Sequence, residues 1–267
     1  MFDSIPAADL DRWNRKTVVV DLHSGLGNQM FHMAFGLAVA RKFNLALEWT
    51  WRGDPLRRFS MDLFGFRKPQ PWAPPIVYAS SEQGDKNTVD VVGRAIEIAH
   101  NPLCGIRGIF ENEACFLPVA DEVRRLYALP AFDLSDSPGT PVAIQVRRTD
   151  FLKSRTHDVC TAKYFRNAID QMSQLVPDAF FHLVSDDPAW CATAFERIEN
   201  KRIHGSTPTD DLRVMVACKA HIISNSTFGW WGAWLSGADK VIVPSVWKRA
   251  PFAHVDAAPA RWFRVPI

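Results

Sequence analysis

No stretch of this chain approaches the ~18 to 20 consecutive apolar residues that span a membrane. The first sixteen residues, broken up by Asp3, Asp9, Asp11 and Arg12, hold no apolar core of the kind a secretory signal requires. A cytoplasmic location is therefore expected. CxxC pairs are absent. The five cysteines, at 104, 115, 160, 191 and 218, are scattered and odd in number, which argues against a disulfide framework and a structural zinc and suits a reducing compartment. No HExxH arrangement supports zinc catalysis and no P-loop supports nucleoside triphosphate hydrolysis. No G-x-S-x-G elbow supports a serine hydrolase, and Cys160 with His157 is a lone pair that reads as structural. With a formal charge of +2 and no Lys/Arg run interleaved with aromatics, nucleic acid is not an expected partner.

What remains is an ordinary globular composition, 47% hydrophobic and 22% charged over 267 residues, enough for one large or two modest α/β domains. Thr17 to Leu22 is a β-branched run short enough for a buried parallel strand. His23-Ser24-Gly25-Leu26-Gly27-Asn28-Gln29 then turns into a helix on which Met30, Ala34, Leu37, Ala38 and Arg41 share a face. Strand, glycine turn and helix bring backbone close to a ligand, with the glycines expected to supply positive φ. The pattern is not GxGxxG, and no acid follows where a ribose would need one. Asn28 and Gln29 are uncharged amides suited to sugar hydroxyls; the alternative for Asn28 is that it only stabilises the turn.

Leu45 to Trp49 reads as a second strand. Arg52, Arg57 and Arg58 follow in a polar connection, either as a solvated face or as partners for an anionic ligand. Lys68 to Pro75 reads as a loop, Asp121 to Leu129 as a helix, and Pro130 to Pro141 as a linker, which places two lobes at 1–135 and 136–267. The second lobe repeats the alternation. Val142 to Val146, Ala179 to Val184, His221 to Ser224 and Lys240 to Val243 are strands, with helices expected after Thr161, at Pro188 and after Asp210. Strands alternating with helices in both halves imply parallel sheets.

Three places carry chemistry in that lobe. Arg147-Arg148-Thr149-Asp150 ends a strand, where α/β folds bind ligands and where paired guanidiniums fork onto phosphate oxygens. Asp210 and Asp211 sit at a helix start and supply capping and first-turn charge. Asn225-Ser226-Thr227 precede a helix that buries Phe228, Trp231, Trp234 and Leu235. Its N-terminal N–H groups with adjacent hydroxyls form a phosphate site, unless Ser226 or Thr227 merely caps the helix. The acidic pairs Asp186-Asp187 and Asp210-Asp211 are adjacent and placed at helix starts, so no metal is expected.

Ser224-Asn225-Ser226-Thr227-Phe228-Gly229-Trp230-Trp231-Gly232-Ala233-Trp234-Leu235 resembles the most characteristic motif of the α-1,2-fucosyltransferases, glycosyltransferase family 11. Gly25 to Phe31, Val146 to Asp150 and Ser185 to Trp190 resemble further family motifs in the expected order, so the resemblance covers nearly the whole chain. It implies a GT-B fold, two Rossmann-like lobes with parallel sheets facing a central cleft. It also implies a bacterial, metal-independent enzyme, with no cofactor, that transfers L-fucose from GDP-fucose to a glycan hydroxyl with inversion, the 2-hydroxyl of a terminal galactose in a galactose-containing oligosaccharide or glycolipid. By the same resemblance Arg147 holds the β-phosphate, with Arg148 beside it. Asp210 or Asp211 accepts from the guanine ring, Asn225, Ser226 and Thr227 line the donor site, and Gly25, Gly27, Asn28 and Gln29 form the sugar or acceptor side.

The chain departs from the family pattern in places. Gln145 stands where the motif has histidine. Thr149-Asp150 is closer to what α-1,6 members carry, which keeps another linkage open. Ile109, Glu111 and Cys115 alter a passage expected to border the acceptor. Asp150 is either the base that takes the acceptor's proton or the group that orients the arginines; Glu111, Glu113 and Asp158 are other acids for the first role. From different classes, a dinucleotide oxidoreductase and a non-catalytic sugar-binding protein stay as alternatives. Peripheral contact with the inner face of a membrane is compatible with a lipid-linked acceptor.

Overall fold

The computed structural model describes residues 16–51, 53, 57–69, 76–83, 88–98, 103–205 and 207–267. The first sixteen residues, apart from Lys16, together with Arg52 and most of the 68–75 loop, lie outside the described residues. The chain divides into two compact units, Met1–Tyr127 and Ala128–Ile267.

In the first unit four parallel strands, β1 (Thr17–Leu22), β2 (Ala46–Trp51), β3 (Ile76–Gln83) and β4 (Leu103–Ile109), are ordered β2-β1-β4-β3. Helices α1 (Leu26–Phe43), α2 (Thr88–Ile98) and α3 (Ala120–Leu126) complete it among the described residues. The β1 strand is buried along its whole length, as its Val-rich sequence requires. The α1 helix is buried from Gln29 to Ala40 without a break, more than the single apolar face expected of it. Gly36 explains how closely it lies on the sheet, since a Cβ there would come within 2.3 Å of Val20.

The second unit contains six parallel strands, β5 (Thr140–Val146), β6 (Ala179–Ser185), β7 (Lys201–His204), β8 (Ala220–Ile223), β9 (Lys240–Pro244) and β10 (Phe263–Val265), in the order β10-β9-β8-β5-β6-β7. From β5 the chain steps outward to β6 and β7, then crosses back to place β8 on the other side of β5. The order therefore reverses between β5 and β8, the position where open α/β sheets bind ligands beyond the carboxyl ends of their strands.

Alternation along β5 separates two faces. Val142, Ile144 and Val146 join Tyr164, Phe165 and Met172 of α4 (Ala162–Leu175) and Cys191 of α5 (Pro188–Ala194) in one core. Gln145 faces α7 (Thr227–Ser236), which also packs on α6 (Pro208–Ala217). Glycines permit both approaches. A Cβ at Gly229 would lie 2.5 Å from Gln145 Oε1, and one at Gly232 would lie 2.6 to 2.8 Å from Met215.

The units divide before the expected boundary, and the reason is local. Arg213 Nε donates to the Pro130 carbonyl at 2.9 Å and its Nη2 to the Ala131 carbonyl at 2.9 Å. Asp136 pairs with Arg202, and Ser137 hydrogen-bonds His182. Residues 130–135, part of the stretch read as a linker, are thereby fastened to the second unit. Helix α3 also stops at Leu126 rather than Leu129.

Candidate functional site

The residues expected at the donor side of the second unit converge on the carboxyl edge of its sheet. Strand β5 runs into Arg147, β6 into Asp186 and β8 into Ser224, and the parallel register aligns Val146 with Ser185 and Gln145 with Ile223. Ser224 staples the first and third of these ends. Its Oγ accepts from the Arg147 backbone N–H at 3.0 Å and donates to the Gln145 carbonyl at 3.0 Å.

Asp186 organises the arginine turn. One carboxylate oxygen accepts from the Arg148 N–H at 2.9 Å, and the other accepts from the Thr149 N–H at 3.2 Å and the Thr149 hydroxyl at 2.5 Å. That second oxygen also lies 3.3 Å from Arg147 Nη1, while Asp150 Oδ1 meets Arg147 Nη2 at 2.7 Å. Arg148 is pinned separately. Its Nε donates to Asp187 at 3.2 Å, and its guanidinium lies 3.9 Å from the centre of the Trp190 ring, a cation–π arrangement. Two guanidiniums thus meet three carboxylates, so the turn carries no surplus positive charge of its own before a ligand arrives.

Asp187 also caps α5, accepting from the Trp190 N–H at 3.1 Å, with Pro188 in the first turn. These bonds engage both members of the Asp186-Asp187 pair. Neither Asp186 nor Ser224 stands out in the sequence as a site residue. The signal that could have found them is position: each stands at the end of an apolar strand, as the arginines do.

The third component is the start of α7. Ser226 occupies the N-cap position but makes no side-chain capping bond, so the hydroxyl is not committed to the role that would have explained it structurally. Asn225 requires a correction. Its Nδ2 donates to the His157 and Trp247 carbonyls at 3.1 and 2.9 Å, and its Oδ1 accepts from the Cys160 thiol at 3.5 Å. The amide is spent holding two loops to the end of β8 rather than lining a donor site. Burial pushes the Cys160 thiol up to about 12, which makes it a packing group rather than a nucleophile. None of the five cysteines forms a disulfide.

At α6 the cap is Thr207, not an aspartate. The Asp210 N–H donates to Thr207 Oγ1 at 3.2 Å, that hydroxyl donates to the Asp210 carboxylate at 3.0 Å, and Arg213 Nη1 pairs with Asp210 at 3.0 Å. Asp210 is engaged twice. Asp211 stands beside it in the first turn, half-buried.

The loop after β1 belongs to the first unit and differs from expectation in two respects. The positive φ falls on Ser24, at 62°, whereas Gly25 has an ordinary extended backbone with φ −75°. A non-glycine residue in the left-handed region is uncommon; here the Ser24 carbonyl accepts from Gln29 Nε2 at 2.8 Å. Gln29 is the second correction. Fully buried, it also donates to the Arg58 carbonyl at 2.9 Å and accepts from the Ser60 N–H at 3.0 Å. Both amide hydrogens and the oxygen are used on backbone, so Gln29 clamps the turn to residues 58–60 instead of reading a sugar. Asn28 is half-buried, and a Cβ on Gly25 would find nothing within 4 Å. Gly27 lies buried inside α1.

Close to this turn, the His23 ring lies 4.2 Å from the ring of buried His32, and His23 Nδ1 lies 3.2 Å from Ser24 Oγ. Burial, then the neighbouring His23, pushes His32 well below the ordinary histidine range. Glu111, beyond the end of β4, is buried, and Glu113 is half-buried.

Among the described residues no group of three or more His, Cys, Asp or Glu side chains is placed to hold a metal ion, and no helix is long and apolar enough to cross a membrane.

The chain is 29% identical to an α-1,2-colitosyltransferase of Escherichia coli, over 93% of this chain and 98% of that relative. It is 29% identical to the mouse galactoside 2-α-L-fucosyltransferase Sec1, over 44% of this chain and 35% of the mouse protein. In fold it is similar to the fucosyltransferase NodZ from Bradyrhizobium, with a TM-score of 0.53, 11% identity, and coverage of 86% of this chain and 95% of that one. The two α/β units with parallel sheets are thus of the GT-B class. The sequence model of Glycosyl transferase family 11 matches residues 106–264, and the chain belongs to that family of glycosyltransferases.

Proposed function

We propose that the protein transfers L-fucose from GDP-fucose to a glycan hydroxyl, the 2-hydroxyl of a terminal galactose, with inversion and without a divalent metal. The observation that carries this reading is the placement of Arg147 at the point where the strand order reverses, with its guanidinium held by Asp186 and Asp150. Departure of a nucleoside diphosphate builds negative charge on phosphate. A fixed guanidinium and the first-turn N–H groups of α7 stabilise that charge without reorganising, which is the largest electrostatic contribution a site of this kind makes. Asp186, Asp187 and Asp150 are engaged by arginines and N–H groups, so arginine rather than a chelated cation supplies the positive charge. Ser226 and Thr227 add hydroxyls to the phosphate side, and an acid in the first turn of α6, Asp210 or Asp211, accepts from guanine. A cytoplasmic location is part of the same reading.

The test is GDP release from GDP-fucose against a panel of galactosides, with the linkage of the product read by NMR. A product fucosylated at the galactose 2-position supports the reading; GDP-fucose that stays intact with every galactoside overturns it. A second donor is favoured by the colitosyltransferase that matches nearly the whole chain. Colitose is the 3-deoxy counterpart of L-fucose, so GDP-colitose belongs in the same panel. A kcat/KM higher with GDP-colitose than with GDP-fucose assigns the deoxy sugar as the donor.

A further inference from the structure

Gln29 and Asn225 are amides consumed by the backbone of their own chain. Gln145 is not. One residue before the end of β5 and 4% exposed, it makes no side-chain hydrogen bond among the described residues, and its Oε1 is buried without a partner. Its backbone is fixed, because the carbonyl accepts from both the N–H and the hydroxyl of Ser224 at 3.0 Å. The side chain lies against the first turn of α7, where a Cβ on Gly229 would come within 2.5 Å of Oε1. Gly229 precedes the Trp230 N–H, which donates to the Ser226 carbonyl at 2.9 Å, so the amide abuts the end of the helix whose N–H groups point away from the helix body.

Burying an amide with neither end used costs free energy, since water is given up and nothing in the protein replaces it. Such a cost is retained where a ligand supplies the missing partner. The place fits that explanation. Gln145 stands two residues before Arg147, on the strand pair β5 and β8 where the order reverses, and beside a helix whose N-cap Ser226 makes no side-chain capping bond. The chemistry of the amide narrows the ligand group. A phosphate oxygen accepts and cannot donate, so it would leave Oε1 bare and set negative charge beside it. A hydroxyl both donates and accepts, as the amide does, and completes it.

We propose that Gln145 is a donor-binding residue whose side-chain amide is completed by a ring hydroxyl of the bound sugar nucleotide, on the ribose or on the transferred sugar. The proposal rests on the reading that this turn binds a nucleoside diphosphate donor. Arg147 and the α7 N–H groups hold the charge that every nucleoside diphosphate carries; Gln145 reads a ring attached to it.

The experiment pairs calorimetric titration with thermal melts of the full chain for the wild type, Gln145→Met and Gln145→Leu, with GDP, GDP-fucose and inorganic pyrophosphate as probes. Removing an amide that the free protein leaves unsatisfied raises the Tm without ligand by roughly 2 to 8 °C, while loss of the hydroxyl contact weakens binding by roughly 5- to 100-fold. A damaged fold lowers both, so the opposite signs mark an amide kept for a ligand. A loss already present with GDP assigns the ribose, a loss that appears only with GDP-fucose assigns the transferred sugar, and pyrophosphate binding stays as in the wild type in either case. Equal losses with GDP and pyrophosphate put the contact on phosphate and overturn the hydroxyl. Unchanged affinity for both GDP and GDP-fucose, or a Tm that falls together with affinity in both variants, overturns the assignment of Gln145 and leaves the diphosphate reading standing. A wild type that binds neither nucleotide overturns that reading and the assignment with it.

Discussion

Acidification should destabilise the second unit through His182, and the size of the effect follows from how that ring is held. His182 is 0% exposed on β6. Its Nδ1 lies 3.0 Å from His204 Nε2 on β7 and its Nε2 lies 2.9 Å from Ser137 Oγ, with the two imidazoles stacked at 5.3 Å. Two rings that share one hydrogen bond need a single proton between them; a second proton sets donor against donor. Arg202 adds repulsion and Asp136 opposes it. Burial first, then the His204 and Arg202 charges, push His182 down to about 4, and burial pushes His204 down as well. Because the folded value lies below the unfolded value of about 6.5, the unfolded chain takes the proton first as pH falls. The stability contribution is complete above that unfolded value and is lost through the window down to about 4. At pH 5 about one and a half pKa units of that window have been crossed, a loss of about 2 kcal/mol for this one group, against a total of roughly 5 to 15 kcal/mol for a typical domain. Urea unfolding followed by tryptophan fluorescence at pH 7.5 and pH 5, for wild type and His182→Asn, measures it. Asparagine hydrogen-bonds without titrating, so the wild type should lose about 2 kcal/mol more than the variant between the two pH values. Packing defects in the variant are present at both pH values and cancel in that difference. Equal losses in the two proteins would refute the reasoning.

Arg147→Ala should lower turnover by roughly 100- to 1000-fold, the scale of losing one charge-stabilising donor, and lysine should rescue poorly because it lacks the planar fork. Near-normal turnover of a folded alanine variant removes Arg147 from the mechanism. If Asp210 or Asp211 reads guanine, the Asn variant of that residue should weaken GDP binding in calorimetry with little change in Tm; equal losses of binding and of Tm point instead to a structural role of the kind the Asp210 contacts with Thr207 and Arg213 provide. Activity should survive EDTA. Loss with EDTA and recovery with manganese shows instead that a bound cation, not arginine, neutralises the leaving phosphate.

The strands and the placement of the motifs were legible because both follow from local pattern. Thr17–Leu22, which opens with four β-branched residues, folds as β1 with those bounds, and Thr161 caps α4 through the Tyr164 N–H. In a parallel α/β sheet every strand end falls on the same edge, so finding Arg147 at a strand end in the sequence already put it on the edge where β6 and β8 also end. Strands β3, β4, β7 and β10 do not stand out in the sequence. Glycine interrupts β4, and β7 is four half-buried residues beginning Lys-Arg at the edge of the sheet, where packing rather than propensity decides.

The sequence by itself determined the class of sheet, the edge on which chemistry collects, and the family through its contiguous motifs. Tertiary structure decided which polar side chains are available. Gln29 and Asn225 looked like ligand amides and are consumed by carbonyls of loops at residues 58, 157 and 247. Asp186 looked like a helix-start acid and is bound to Arg148 and Thr149 across 38 and 37 positions. The positive φ went to Ser24 rather than to the glycine beside it. Hydrogen-bond satisfaction is a property of what surrounds a buried group, and these partners are distant in the chain, so no local pattern records them.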